Sequence, residues 1–198
     1  MHTRSWNFFI VMVCIAIVSV ISYELISYYS LPHPGLPVFG TVPAFSLINQ
    51  DKQTITPDNF KGNVVIADFI FTECAGPCPL MSAEMSEFQN ALQNNSKVHL
   101  LSFSVDPETD TPEVLKAYGN KFHAKNDRWT FLTGDKSSIY NLTRFGFHLT
   151  IDADSNAIAH STKYVLIDKK SRIRGYYDSG DKISTDKLLA DARELSKE

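Results

Sequence analysis

The chain has 198 residues, of which 43% are apolar and 21% charged, a composition typical of a globular protein and not of a disordered or fibrous one. Lys and Arg together number 19 and Asp and Glu 22, so the net charge is −3. A weakly acidic chain without a basic run argues against nucleic acid as the main partner. Three cysteines are too few for a disulfide-stapled scaffold, but Cys74 and Cys78 lie close enough in sequence to act together.

An uncharged apolar stretch extends from Phe8 to Tyr23. As a helix it would be about 24 Å long, and flanking aromatic residues lengthen it toward the ~30 Å hydrocarbon core of a bilayer. We therefore predict a transmembrane anchor over residues 7–29, preceded by a cytoplasmic stub of residues 1–6. The positive charges at Arg4 and the α-amino group precede the span, which predicts an internal amino terminus and an exported body.

A cleaved signal peptide is the alternative interpretation of this stretch. Val20-Ile21-Ser22 matches a small-x-small cleavage site poorly, so an uncleaved anchor is favoured, and Cys14 is then an inert, lipid-facing residue. The stretch leaves no room for a mitochondrial transit peptide before it. We therefore predict a single-pass protein of the bacterial cytoplasmic membrane, with its folded domain on the periplasmic side.

Residues 30–43 are rich in proline and predict a semi-extended linker, and residues 44–198 form the predicted folded domain. Its predicted elements, in chain order, are a hairpin of Phe45–Ile48 and Gln53–Ile55, a strand over Val64–Phe71, a helix over Met81–Leu92, a strand over Val98–Val105, a helix from Pro112 to about Phe122, a strand over Trp129–Leu132, a helix over Lys136–Phe145, a hairpin of Lys163–Asp168 and Ile173–Tyr177, and a helix over Ser184–Leu195. This order predicts an α/β domain with a mixed β-sheet flanked by helices and an extra N-terminal hairpin.

The chemistry is concentrated where the apolar strand Val64–Phe71 ends. A Gly/Pro loop carrying Cys74 follows the strand, and Cys78 lies at the predicted start of the next helix, where unpaired N–H groups and the helix dipole favour a thiolate. Two thiolates on one loop can close a disulfide or hold one soft metal ion. The C-x3-C spacing is wider than the C-x-x-C of thioredoxin-type reductases. The alternative without chemistry is that both cysteines are buried and inert.

Two thiolates alone are compatible with Zn²⁺ or Cu⁺, but without a second cysteine pair a closed Cys₄ zinc site is excluded. A third ligand must come from the six histidines, of which His99, His123 and His148 fall in or near ordinary elements. His160 follows a polar loop and precedes the strand that begins at Lys163. In a thioredoxin-like sheet the loop entering that strand faces the cysteine loop, and the proline that reductases carry there is absent. His160 is therefore the favoured third ligand.

Three motifs in order resemble the Sco/SenC family: Phe69-Ile70-Phe71-Thr72-x-Cys74-x3-Cys78-Pro79, Ser104-Val105-Asp106-Pro107-Glu108-x-Asp110-x-Pro112, and His160-Ser161. The resemblance covers about Val38 to Leu195 and implies a membrane-tethered thioredoxin fold involved in copper delivery to cytochrome c oxidase. It implies Cys74, Cys78 and His160 as ligands of Cu⁺, with Cu²⁺ as a second oxidation state. It also implies the copper-bearing oxidase subunit, or another copper chaperone, as the partner. Ala75 stands where many members have proline, which alters loop stiffness but not the ligands.

Asp106 and the pair Met81 and Met85 each have a structural and a functional interpretation. Asp106 ends the second strand at the sheet edge where sites of α/β proteins form, so it is either a turn residue or an acid that tunes the metal or a thiol. Met81 and Met85 could be soft ligands, but their helical spacing favours the core.

Three functions are compatible with these residues. The first is a copper metallochaperone. The second is a thiol–disulfide oxidoreductase that uses Cys74 and Cys78 to reduce the cysteines of the copper acceptor. A peroxidase-like thiol enzyme is the least favoured, because a peroxidatic motif is missing from the sequence.

Overall fold

The computed structural model describes residues 12–23, 35–149 and 161–198. The chain divides into two units, Met1–Gly35 and Leu36–Glu198. Residues 12–23 of the first unit form a helix, α1, and the remainder of the predicted span lies outside the described residues. Within the described ranges no helix is both long enough and apolar enough to cross a membrane.

The second unit contains one eight-stranded mixed sheet in the order β1-β8-β7-β4-β5-β6-β2-β3. Its strands are β1 (Gly40–Thr41), β2 (Leu47–Asn49), β3 (Thr54–Ile55), β4 (Val64–Ile70), β5 (Val98–Ser104), β6 (Trp129–Thr133), β7 (Lys163–Ile167) and β8 (Arg172–Asp178). The central strands β4, β5 and β6 are parallel, and the other pairings, including β4 with β7, are antiparallel. The ends of β4 and β5 are in register at Ile70 and Ser104, and β7 begins at that same edge.

The helices of this unit are α2 (Cys78–Ala91), α3 (Pro112–Lys121), α4 (Lys136–Asn141) and α5 (Lys182–Leu195), with a 3₁₀ turn at Pro57–Phe60 and a π turn at Leu142–Gly146. The sheet is covered on both faces. Apolar side chains of α2, α3 and α5 form one core cluster with one face of β4, and α4 and the π turn join a second cluster on the other face. Side chains alternate along a strand, so Ile66 points into the first cluster and Val65 into the second.

The predicted α/β architecture with its N-terminal hairpin is confirmed. The start of α3 shows how local residues mark the boundary of an element. Pro112 is the first residue of α3, and the Thr111 side chain caps the helix by accepting a hydrogen bond from the Val114 N–H at 3.4 Å. The predicted helix over Lys136–Phe145 differs in its second half, where the chain widens into the π turn at Leu142–Gly146.

The strand β1 lies within the segment interpreted from its prolines as a linker. The Phe39 N–H donates to the Ile173 carbonyl at 2.9 Å, and the Val42 N–H donates to the Ser171 carbonyl at 2.8 Å. Arg174 is buried and donates to the carbonyl oxygens of Leu36 and Pro37. From Leu36 onward the segment is therefore part of the folded unit, because its backbone groups bond to β8, which hydropathy alone does not reveal.

Arg174→Met should destabilise the domain by about 3 kcal/mol, because it leaves the buried Asp168 carboxylate without one of its cations and releases the carbonyls of Leu36 and Pro37. Urea unfolding of the domain that begins at Leu36 measures the change. Lys197→Met, which removes an exposed pair with Glu194, is the control and should change the free energy of unfolding by less than about 1 kcal/mol. Equal effects of the two substitutions would contradict this role for Arg174.

Candidate functional site

Cys74 and Cys78 lie where β4 ends, beneath a short exposed loop. Cys74 is 6% exposed and Cys78 2% exposed, and both are thiols in the structure. The Gly76 N–H donates to the Cys74 sulfur at 3.3 Å, and the side chains of the two cysteines are hydrogen-bonded to each other. The structure thus brings the two thiols together, and both lie closer to the core than the sequence indicated.

Burial determines the charge state of Cys78. Cys78 lies at the amino terminus of α2, as predicted, and is its first residue. However, burial raises the pKa of its thiol to about 12, and the Cys74 side chain and the Asp68 charge add to the increase, while a hydrogen bond from the Phe71 backbone opposes it. The expectation that the helix amino terminus favours a thiolate is therefore wrong for the metal-free reduced protein, because burial favours the neutral thiol.

A buried carboxylate that the sequence analysis did not single out holds the chain just before Cys74. Asp110 is fully buried and accepts hydrogen bonds from the Thr72 hydroxyl at 2.5 Å and from the Ser104 hydroxyl at 2.6 Å. The Thr72 N–H also donates to this carboxylate, at 3.2 Å. The signal available in the sequence was a third acid, after Asp106 and Glu108, in the motif that ends at Pro112.

Asp106 itself serves as a turn residue. Its N–H donates to the Ser104 hydroxyl at 3.1 Å, and its carbonyl oxygen accepts from the Asp110 N–H at 2.9 Å. These contacts support the turn interpretation, while a tuning role for its side chain stays a prediction. Met81 and Met85 are both 0% exposed within the first core cluster, which agrees with the core interpretation.

Asp68 is a second acid that the sequence analysis missed, in the middle of β4. It is 0% exposed, and neither carboxyl oxygen has a hydrogen-bond partner among the described residues. Burial raises the pKa of Asp68 from 3.8 to about 7, opposed by the nearby Ser102 hydroxyl and the Asp68 backbone. The Asp68 charge raises the pKa values of Cys78 and Tyr118, so the carboxyl group lies close to the thiol site. The signal in the sequence was a charge within an otherwise apolar strand.

The histidines of the described residues are not gathered at the thiols. His99 lies in β5 near the Phe60 ring, with its pKa lowered chiefly by burial. His148 faces a surface pocket with Lys163 and Tyr176. Among the described residues, no group of three His, Cys, Asp or Glu side chains is placed to hold a metal ion. The predicted ligand His160 lies outside the described residues.

The fold and the site define a thioredoxin-like domain with a C-x3-C thiol pair at the end of a central parallel strand. The family model of SCO1/SenC matches residues 38–197, and the chain belongs to this family. It is 31% identical over 164 residues to the SCO1 protein homolog of Bacillus subtilis, covering 81% of this chain and 85% of that relative.

Among the solved structures that share the fold are two Sco proteins. One is BsSco, a member of the Sco family of cytochrome c oxidase assembly proteins in which a disulfide switch has been identified. It is 30% identical with a TM-score of 0.74, over 83% of this chain and 99% of BsSco. The other is Arabidopsis thaliana ScoI with copper bound, 25% identical with a TM-score of 0.65, over 78% of this chain and 99% of that one.

Replacing Asp68 by Asn should remove a pH dependence from stability. Since the folded-state pKa of about 7 lies above the ordinary 3.8, native Asp68 keeps a proton that the unfolded chain releases as the pH rises. Its contribution to the free energy of unfolding is therefore full below pH ~4 and is lost as the pH rises to about 7, by at most about 4 kcal/mol.

Urea unfolding of wild type and Asp68→Asn at pH 4.5, 6 and 8 measures this difference, with the exposed Asp127→Asn as control. Asp68→Asn should gain stability relative to wild type as the pH rises, and Asp127→Asn should follow wild type. Parallel profiles for wild type and Asp68→Asn would show that Asp68 titrates as an ordinary carboxyl group.

Proposed function

We propose that this protein is a copper-binding metallochaperone that assists assembly of the dinuclear copper site of cytochrome c oxidase, holding copper through Cys74, Cys78 and His160. The observation that carries the proposal is the pair of buried, mutually hydrogen-bonded thiols at the end of β4 in a chain of the SCO1/SenC family. Soft thiolates suit Cu⁺. The relatives support the assignment, because A. thaliana ScoI binds copper and BsSco belongs to a family of oxidase assembly proteins.

His160 is proposed as the third ligand from its place in the chain. β4 ends where the cysteine loop starts, and β7, which begins at Lys163, runs antiparallel from that same edge of the sheet. His160 precedes β7 by three residues. Copper would then replace the Cys78 proton, whose release from a thiol of raised pKa makes binding stronger at higher pH.

The cellular setting is part of the proposal. The apolar stretch Phe8–Tyr23 is proposed to anchor the protein in a bacterial cytoplasmic membrane, with the amino terminus inside and the domain on the periplasmic side. The proposed partners are the copper-bearing oxidase subunit or another copper chaperone. Cu⁺ is the proposed cargo, with Cu²⁺ as a second state.

A thiol–disulfide oxidoreductase that reduces the cysteines of the copper acceptor is the second candidate. The hydrogen bond between the side chains of Cys74 and Cys78 favours it, because it brings the two sulfurs within reach of a disulfide. In that reaction the two thiols lose two protons and two electrons to the disulfide of the acceptor. The two candidates are compatible, since copper loading requires reduced thiols in the acceptor.

The exported domain should bind one copper ion per chain, and His160→Ala should weaken its Cu⁺ affinity by at least 10–100-fold, the range known for loss of groups that merely support a metal ligand. Competition against a Cu⁺ chelator measures this, with the exposed His123→Ala as control. Thiol–disulfide exchange by His160→Ala should stay near the wild-type rate, because a disulfide needs only the two sulfurs. If wild type with verified reduced thiols retains no copper, the proposed function is wrong. If exchange and affinity fall together, the oxidoreductase gains support.

Closing a Cys74–Cys78 disulfide should abolish copper binding, because both ligands must be thiolates. Air oxidation of the metal-free domain should lower its mass by two hydrogens, which dioxygen accepts, and reduction should restore binding. Intact-protein mass spectrometry followed by copper titration tests both steps. Thiols that persist after mild oxidation, or an oxidised domain that still binds copper, would contradict this expectation.

A further inference from the structure

Asp110 links three elements at the edge of the sheet that carries the thiols. It lies between the end of β5 and the Thr111 cap of α3, and its carboxylate accepts from the Ser104 hydroxyl at 2.6 Å. Ser104 is the last residue of β5 and pairs with Ile70, the last residue of β4. The Asp110 N–H donates to the Asp106 carbonyl at 2.9 Å, so the backbone that carries the carboxylate is also fixed.

The remaining bonds of this carboxylate go to the cysteine loop. The Thr72 hydroxyl donates to Asp110 at 2.5 Å, and the Thr72 N–H donates to its two oxygens at 3.3 and 3.2 Å. Thr72 stands inside a tight turn in which the Cys74 N–H donates to the Phe71 carbonyl at 3.3 Å. The Phe71 backbone also hydrogen-bonds to the Cys78 thiol. Fixing Thr72 therefore fixes the backbone on which both sulfurs depend.

We propose that Asp110 is a positioning residue for the thiol pair. By holding Thr72 at the ends of β4 and β5, Asp110 sets the separation and orientation of the Cys74 and Cys78 sulfurs. The carboxylate suits this task because the three groups that face it, the Thr72 N–H, the Thr72 hydroxyl and the Ser104 hydroxyl, all act as donors. An acceptor with two oxygens satisfies all three. The expected effect of Asp110 on copper binding rests on the proposed function. Its expected effect on the Cys74–Cys78 disulfide does not.

Asp110→Asn tests this positioning role with almost no change in volume. The amide has one accepting oxygen, and its NH₂ group would face a hydroxyl or N–H that now donates to Asp110, so at least one bond to Thr72 or Ser104 is lost. A loop that is less well fixed should hold two ligands less well. We expect Cu⁺ affinity to fall at least tenfold, as for other groups that orient metal ligands. The Cys74–Cys78 reduction potential should move by at least the equivalent of tenfold, about 30 mV.

Asp168→Asn is the matched control. Asp168 is also buried and accepts from several donors, among them Arg172 and Arg174, but it lies in the β7–β8 turn. Both substitutions should lower the melting temperature, and only Asp110→Asn should change the potential and the copper affinity. Unchanged values in Asp110→Asn, or equal changes in both variants, would overturn the proposal, since the second result would reflect general destabilisation.

A milder pair covers the case in which Asp110→Asn does not fold. Thr72→Val removes the hydroxyl bond to Asp110, and Thr143→Val removes the buried hydroxyl bond to the Ile139 carbonyl at 2.8 Å, in the π turn. The first should shift the potential in the same direction as Asp110→Asn and by a smaller amount, and the second should leave it at the wild-type value. Equal potentials in Thr72→Val and wild type would overturn the proposal. Wild type without copper would refute the proposed function, while the potentials would still test Asp110.

Discussion

The structure depends on the burial of β4 on both of its faces. No residue of Val64–Ile70 is more than 3% exposed, because α2, α3 and α5 cover one face and α4 with its π turn covers the other. A strand enclosed in this way offers no reactive surface along its length. Its chemistry must therefore appear where it ends, which is where the chain turns at Phe71 and carries Cys74 and Cys78.

The same burial controls the electrostatics of the site. The two thiols and the Asp68 carboxyl are all buried, and the Cys74 side chain and the Asp68 charge both disfavour a thiolate at Cys78. In the reduced, metal-free site the neutral thiol is therefore the favoured protonation state of Cys78. A bound cation, or a covalent bond between the sulfurs, removes the penalty in different ways, which gives the two proposed activities a common physical origin.

The order of elements was predictable because hydrophobic periodicity and proline positions act locally. The run Val64–Phe71 has the length and apolar character of a buried strand, and Pro112 after Thr111 marked a helix start. The pairing of Cys74 with Cys78 was equally local. The pKa of Cys78 was not predictable, since it depends on how completely the tertiary structure buries the thiol. The role of Asp110 was also hidden, because Thr72 is 38 residues away in sequence and meets Asp110 only through the parallel pairing of β4 with β5.

The short strand β1 has a consequence for the outer boundary of the sheet. An uncovered edge strand offers a row of unpaired backbone groups to other chains, and natural proteins block such edges. β8 spans Arg172–Asp178, and its outer side is met by Gly40 and Thr41. A chain shortened to begin at residue 44, where composition alone places the domain, would lose this cover. The segment that resembles a spacer in sequence thus also covers the Arg172–Ile173 end of an edge that is otherwise open to pairing with another chain.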